Sequence, residues 1–165
     1  MLKKDGIPAE EDVAIITPSD ERRAAGPVAW VECFEKIPCD PCHDACPAGA
    51  IAEFSDINDL PSVEHDECTG CGLCVSACPG LAIFVIDETY SEEKALIRLP
   101  HEFSPVPEPG DEVPLLNRAG EEVGTGEVDR VQKPAAFDRT AVVWVIIPQE
   151  LVRDVRAIGK VGGRP

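Results

Sequence analysis

All eight cysteines of this 165-residue chain fall between Cys33 and Cys78, and seven of them form two runs that each end in Cys-x3-Cys-Pro. The runs are Cys39-x2-Cys42-x3-Cys46-Pro47 and Cys68-x2-Cys71-x2-Cys74-x3-Cys78-Pro79. A segment that spends so many positions on thiols and prolines has little apolar material for a core of its own, so cross-links must hold it. The runs superpose at an offset of 32 residues, pairing Cys39 with Cys71, Cys42 with Cys74, and Cys46-Pro47 with Cys78-Pro79. Their flanks, Ala48-Gly49-Ala50-Ile51 and Gly80-Leu81-Ala82-Ile83, match as well. Each half therefore reads as a thiol loop, a short helical turn and a strand.

Disulfides are the reading for a secreted chain, but no apolar stretch follows Met1-Leu2-Lys3-Lys4 and the longest apolar run, Ala141 to Ile147, is too short to span a bilayer. A cytoplasmic protein with metal-ligating thiols and no membrane span is the expectation. The formal net charge is -16, concentrated in residues 1–100, where 20 acidic residues face 7 basic ones. That excess argues against a nucleic-acid partner, because phosphate binding needs clustered Lys and Arg. It suits docking on a basic face of another protein.

Thiolates two residues apart on a tight loop reach separate corners of one iron–sulfur cube, and the doubled pattern predicts two cubane 4Fe-4S clusters. The second run, Cys68-Thr69-Gly70-Cys71-Gly72-Leu73-Cys74-Val75-Ser76-Ala77-Cys78-Pro79, resembles bacterial-type two-cluster ferredoxins, a likeness that extends over about residues 28–90. In that family the first three cysteines of a run bind one cluster and the fourth binds the other. The resemblance thus implies one cluster on Cys46, Cys68, Cys71 and Cys74, and another on Cys39, Cys42 and Cys78. Lys36 stands where the repeat calls for a further cysteine. Cys33 is the remaining candidate for the fourth ligand; the alternatives are that it is a buried structural thiol and that the cluster has three irons.

The resemblance implies an α+β fold: a pseudo-twofold two-cluster domain over residues 27–99, with strands near 28–32, 51–54 and 83–86. An extended arm over residues 1–26 precedes it. A Pro-rich linker over 100–110, carrying Pro100, Pro105, Pro107 and Pro109, leads to a small mostly-β appendage over 111–158, with turns at 117–120 and 124–126. Leu151, Val152, Val155 and Ile158 are spaced for one face of a C-terminal helix starting after Pro148, with 159–165 as a tail.

Gly70 and Gly72 are expected at positive φ, exposing N–H groups to cluster sulfurs. The first loop instead offers Asp40, Pro41 and Asp44, so the cluster of Cys33, Cys39, Cys42 and Cys78 should have the lower potential. His43 reads as a loop histidine, while Trp30 and Phe34 read either as shields for a cluster or as core. Paired zinc knuckles would use Cys-x2-Cys but do not require the Cys-x3-Cys-Pro endings. Gly124-Thr125-Gly126 lacks the third glycine of a dinucleotide loop, and no phosphate loop is present.

The expectation is a non-catalytic electron-transfer protein, an iron–sulfur subunit of an oxidoreductase in preference to a freely diffusing ferredoxin or a redox sensor. The arm and appendage resemble additions on small iron–sulfur subunits that accompany flavin-dependent dehydrogenases, which implies redox protein partners with flavin-containing subunits among them.

Overall fold

The computed structural model of the protein describes residues 5–137 and 140–160. Seven strands, β1 (Val28–Val31), β2 (Ile83–Asp87), β3 (Lys94–His101), β4 (Glu112–Leu116), β5 (Glu122–Gln132), β6 (Ala141–Pro148) and β7 (Ala157–Ile158), make one antiparallel sheet in the order β1-β2-β3-β6-β5-β4-β7. The helices are short: α1 (Glu10–Ile16), α2 (Asp20–Ala24), α3 (Pro41–Asp44) and α4 (Leu73–Ala77).

Alternation along the strands separates two apolar layers. Val28, Trp30, Phe84, Ile86, Ile97, Leu99, Val143 and Val145 share one core with Val113, Leu115, Val128 and Ile158, so all seven strands surround a common interior. The sheet must curl into a partly open barrel to achieve this: β7 comes round against β3, while β1 and β7, the two ends of the strand order, do not pair with each other. Gly126 marks how close the curled strands approach, since a Cβ there would sit 2.8 Å from the Ile146 carbonyl oxygen and from Val145 Cγ1. On the outer face, Ala29, Val31, Ile83, Val85 and Val142 pack with Ile51, Cys74 and Val75 of the cysteine segment. Burial on both faces is why β1, β2 and β6 read as unbroken apolar runs.

Strands from both sides of the Pro-rich stretch hydrogen-bond to each other, which corrects the expected division into a cluster domain and an appendage. β3 pairs with β6 over eight residues, and Pro100, placed in the linker by the sequence, lies in β3 opposite Val142. The expected turn at Gly124-Thr125-Gly126 is strand, with Thr125 opposite Pro114; only Asn117 to Gly120 turns the chain there.

The expected C-terminal helix is also absent from the described residues. A single 3-10 turn, Gln149–Leu151, is followed by β7. The Arg156 N–H donates to the Leu116 carbonyl, and Arg156 Nη1 takes the Val152 carbonyl that a helix would have given to that N–H. Val152, Val155 and Ile158 still bury their side chains, but in the barrel interior. Pairing with the open edge of β4 wins over a short helix.

The N-terminal arm holds α1 and α2 instead of extended chain. Acidic first turns, Asp12 accepting from the Ala9 N–H and Ser19 accepting from the Arg22 N–H, fix the two starts. Neither helix buries a residue fully, which is why no apolar period announced them. Residues 1–4 of the arm and 161–165 of the tail lie outside the described residues.

The expected strand over 51–54 is reduced to one antiparallel bridge between Ile51 and Val63. The repeat nevertheless recurs in the backbone. α3 begins 32 residues before α4, and the Gly49 and Leu81 N–H groups close equivalent turns onto the Cys46 and Cys78 carbonyls, both at 3.1 Å. Gly49 and Leu81 have φ of 68° and 53°, and Leu81 is the one non-glycine with positive φ among the described residues.

Candidate metal centre

The second cysteine run is held against the barrel by two arginines. Arg22 spans four carbonyls: Nε donates to His65 at 2.7 Å, Nη1 to Gly26 at 3.2 Å, and Nη2 to Pro27 at 3.0 Å and to Cys68 at 2.6 Å. From β3, Arg98 Nη1 donates to the Gly70 carbonyl. Between these clamps Gly70 and Gly72 adopt φ of 66° and 86°, as the sequence led us to expect. Gly70 has a second reason to be glycine: a Cβ would lie 2.6 Å from the Pro27 carbonyl oxygen. Gly72 opens α4, which carries Cys74 inward and ends at Cys78.

Cys46, Cys68, Cys71 and Cys74 line one cavity, together with Ala29, Ala45, Ala48, Ala50 and Val85. Small side chains on the wall leave the space to the thiols. The β1 amide of Ala29 donates to Cys68 Sγ at 3.5 Å. Burial, with the neighbouring Cys68, Cys71 and Cys46, pushes the Cys74 thiol up to about 12. Cys71 is the exposed member.

The other four thiols surround the first run. Cys42 rides on α3, which Pro41 starts, and the Cys39 N–H donates to the Ile57 carbonyl at 3.1 Å. Burial first, then Cys78, Cys39 and Cys33, push the Cys42 thiol up to about 11. Cys33 is raised by burial and by Cys78 and Cys39, and Cys39 by burial, Cys78 and Asp40. The Ala82 N–H donates to Cys78 Sγ at 3.4 Å. Lys36, in place of a repeat cysteine, points to solvent with its side chain 71% exposed, 4.0 Å from Asp59.

The eight thiols thus fall into two neighbourhoods of four, and burial disfavours the thiolate at Cys33, Cys39, Cys42 and Cys74. Nearby cationic charge favours the thiolate form of such buried thiols, and metal binding would release their protons. The donor chemistry fits a cationic iron–sulfur group in each neighbourhood. Among the described residues, no three Cys, His, Asp or Glu groups converge as one metal ion would need.

The remaining residues singled out in the sequence have structural posts. His43 Nδ1 lies 2.8 Å from the Ile51 carbonyl, bracing the first loop. His65 is half-buried, and its carbonyl serves Arg22. His101 is buried at the end of β3, edge-on to Phe103. Trp30 belongs to the barrel interior, on the face away from the cysteine segment. Sequence reasoning missed Arg22 and Arg98. Their contacts with the cysteine run reach 46 residues, from Arg22 to Cys68, and 28 residues, from Arg98 to Gly70, and nothing local signals them.

Residues 36–89 match the family model described as the LdpA Fe-S cluster-binding domain, a span that leaves Cys33 outside. The chain is 41% identical over 61 residues to the ferredoxin-type protein NapF of Haemophilus influenzae, covering 36% of this chain and 35% of that protein. It is 38% identical over 52 residues to the pyruvate synthase subunit PorD of Methanocaldococcus jannaschii, covering 32% and 58%. It is 37% identical over 51 residues to the thiosulfate reductase electron transfer subunit PhsB of Salmonella typhi, covering 28% and 26%. The chain therefore spans less than two thirds of each of these relatives. No solved structure matches. No helix among the described residues is long and apolar enough to cross a membrane. The thiol segment clamped on the barrel's outer face is thus similar, over residues 36–89, to an iron–sulfur cluster-binding domain and to ferredoxin-type proteins.

Proposed function

We propose that this protein is a non-catalytic electron-transfer subunit holding two 4Fe-4S clusters, one on Cys46, Cys68, Cys71 and Cys74 and one on Cys33, Cys39, Cys42 and Cys78. The observation that carries the proposal is the division of the eight thiols into two neighbourhoods of four, with the last cysteine of each run standing among the other run's thiols. The equivalent turns at Gly49 and Leu81, and the matching α3 and α4, support a pseudo-twofold arrangement of the pair. The likeness to subunits of pyruvate synthase and thiosulfate reductase supports a place beside a larger redox protein, and thiols used as metal ligands suit a reducing compartment such as the cytoplasm. A flavin-containing dehydrogenase subunit is the partner class we propose.

When bound, the clusters supply one-electron chemistry, and the protein supplies ligands, shielding and docking. Cys74 and Val75 exclude water from one centre, while exposed Cys71 and Leu73 bring its edge to the surface. Anaerobic purification tests the proposal through iron and sulfide content and through co-purifying subunits. Eight irons and eight sulfides per chain with a flavoprotein bound is the expected result. A colourless protein with stoichiometric zinc would overturn it, and a monomer with eight irons would favour a freely diffusing carrier.

A further inference from the structure

We infer that Arg98 sets the reduction potential of the centre held by Cys46, Cys68, Cys71 and Cys74, acting as a fixed positive charge beside Cys71. The inference rests on the two-centre reading above. Arg98 stands on the outer face of the sheet, opposite Val85 on β2 and Trp144 on β6. Its Nη1 donates to the Gly70 carbonyl, in the turn that delivers Cys71. A Cβ built on Gly72 would lie 3.4 Å from the same nitrogen, so the cation packs against both glycines of the loop.

The guanidinium is held from behind as well. Its Cζ lies 3.9 Å from the centre of the Trp144 ring, and the indole is fixed by its Nε1 donating to Gln132 Oε1 at 2.8 Å. Arg130, opposite Trp144 on β5, lies 4.8 Å from the ring. A stacked, hydrogen-bonded and half-buried Arg keeps its charge and its place. The charged groups that face it are Asp87, Cys71 and Arg130, and the thiolate of Cys71 is an attractive neighbour.

Reduction adds one negative charge to the centre, and a fixed cation at its edge favours the reduced state. The first run has Asp40 and Asp44 in its loop and Cys39 lies within electrostatic reach of Asp40. Arg98 therefore widens the gap between the two centres, so that an electron entering the protein settles on the centre beside exposed Cys71.

The test is a redox titration of the full chain followed by electron paramagnetic resonance, with a Cys71→Ser variant identifying which signal belongs to the second run. Arg98→Gln should lower the midpoint of that signal alone, changing its reduced-to-oxidised ratio at fixed potential tenfold or more, which is 59 mV for a one-electron couple. Arg98→Lys should restore most of the shift. Trp144→Leu should move the same signal in the same direction by less, and carries the test if Arg98→Gln does not hold iron. Unmoved midpoints, equal movement of both signals, or failure of Lys to restore the potential would each overturn the inference. Failure of the two-centre reading would show in the unmodified protein, as a single signal and about half the expected iron.

Discussion

Replacing Glu32 by Gln tests how the barrel seam is closed. Glu32 follows β1, and its Oε1 accepts from Arg156 Nε at 2.5 Å and Arg118 Nη2 at 2.6 Å, while Oε2 accepts from Arg118 Nε at 2.8 Å. One carboxylate thereby joins the end of β1, the β4–β5 turn and the chain entering β7. The side chains of Glu32 and Arg156 are 7% and 5% exposed, whereas Arg118 is 17% exposed and has a route to water. Removing one member of a buried pair typically costs about 3–5 kcal/mol, because the other charge stays buried and unpaired. Arg156 dominates that cost here. At about 2–4 °C per kcal/mol for a chain of this size, the midpoint of thermal unfolding should fall by roughly 6–20 °C.

Arg156→Met should be similarly damaging, and the double variant should cost about 1 kcal/mol or more less than the sum. Urea and thermal unfolding of the iron-loaded protein, followed by circular dichroism under anaerobic conditions, measures all three. The carboxyl of Glu32 is opposed by burial but held below the usual range by Arg118 and Arg156. Its stabilisation is therefore present above the unfolded value and lost as pH falls through the folded one, and Glu32→Gln should lack that acid-side loss. A Glu32→Gln variant within about 1 kcal/mol of the parent, or strictly additive single costs, would refute the seam argument.

Arg22→Met should cost about 2–4 kcal/mol, since hydrogen bonds to a charged group contribute about 1.5–3 kcal/mol each and some of the freed carbonyls rehydrate; hydrogen exchange should speed first around Pro27 and Cys68. Gly70→Ala combines an unfavourable positive φ with a 2.6 Å approach to the Pro27 carbonyl, and iron content should fall while the barrel's circular dichroism persists. Cys33→Ala should convert one centre to a three-iron signal in electron paramagnetic resonance and leave the other unchanged; two intact four-iron signals would assign Cys33 a structural role. Chelation of iron should expose the amides of about residues 33–82 while β3, β5 and β6 stay protected, because the barrel interior draws on strands from both ends of the chain and only Cys68 of the thiols packs against it.

That last expectation shows where sequence and structure part. The cysteine runs are local: spacing, the flanking prolines and the glycines at 70 and 72 determine short thiol-bearing loops, and these features were legible residue by residue. The 32-residue repeat was legible too, down to equivalent turns at Gly49 and Leu81. The sheet was not, because strand pairing is a non-local choice. Pro100 reads as linker until β6 is seen beside it, where a chain segment rich in Val and Ile supplies a partner along its whole length. Leu151 to Ile158 has helical spacing, yet the open edge of β4 and the charge of Glu32 draw Arg156 and β7 into the barrel.

The sequence by itself therefore determined the chemistry this protein is equipped to hold, because ligand spacing is written within a dozen residues. Only the tertiary structure decided how the halves combine into one barrel and which cations brace the thiol loops. Arg22, Arg98, Arg118 and Arg156 all reach across long separations to carbonyls or to Glu32. A charge's influence depends on distance through space and on the medium between, and neither is defined until the sheet has curled.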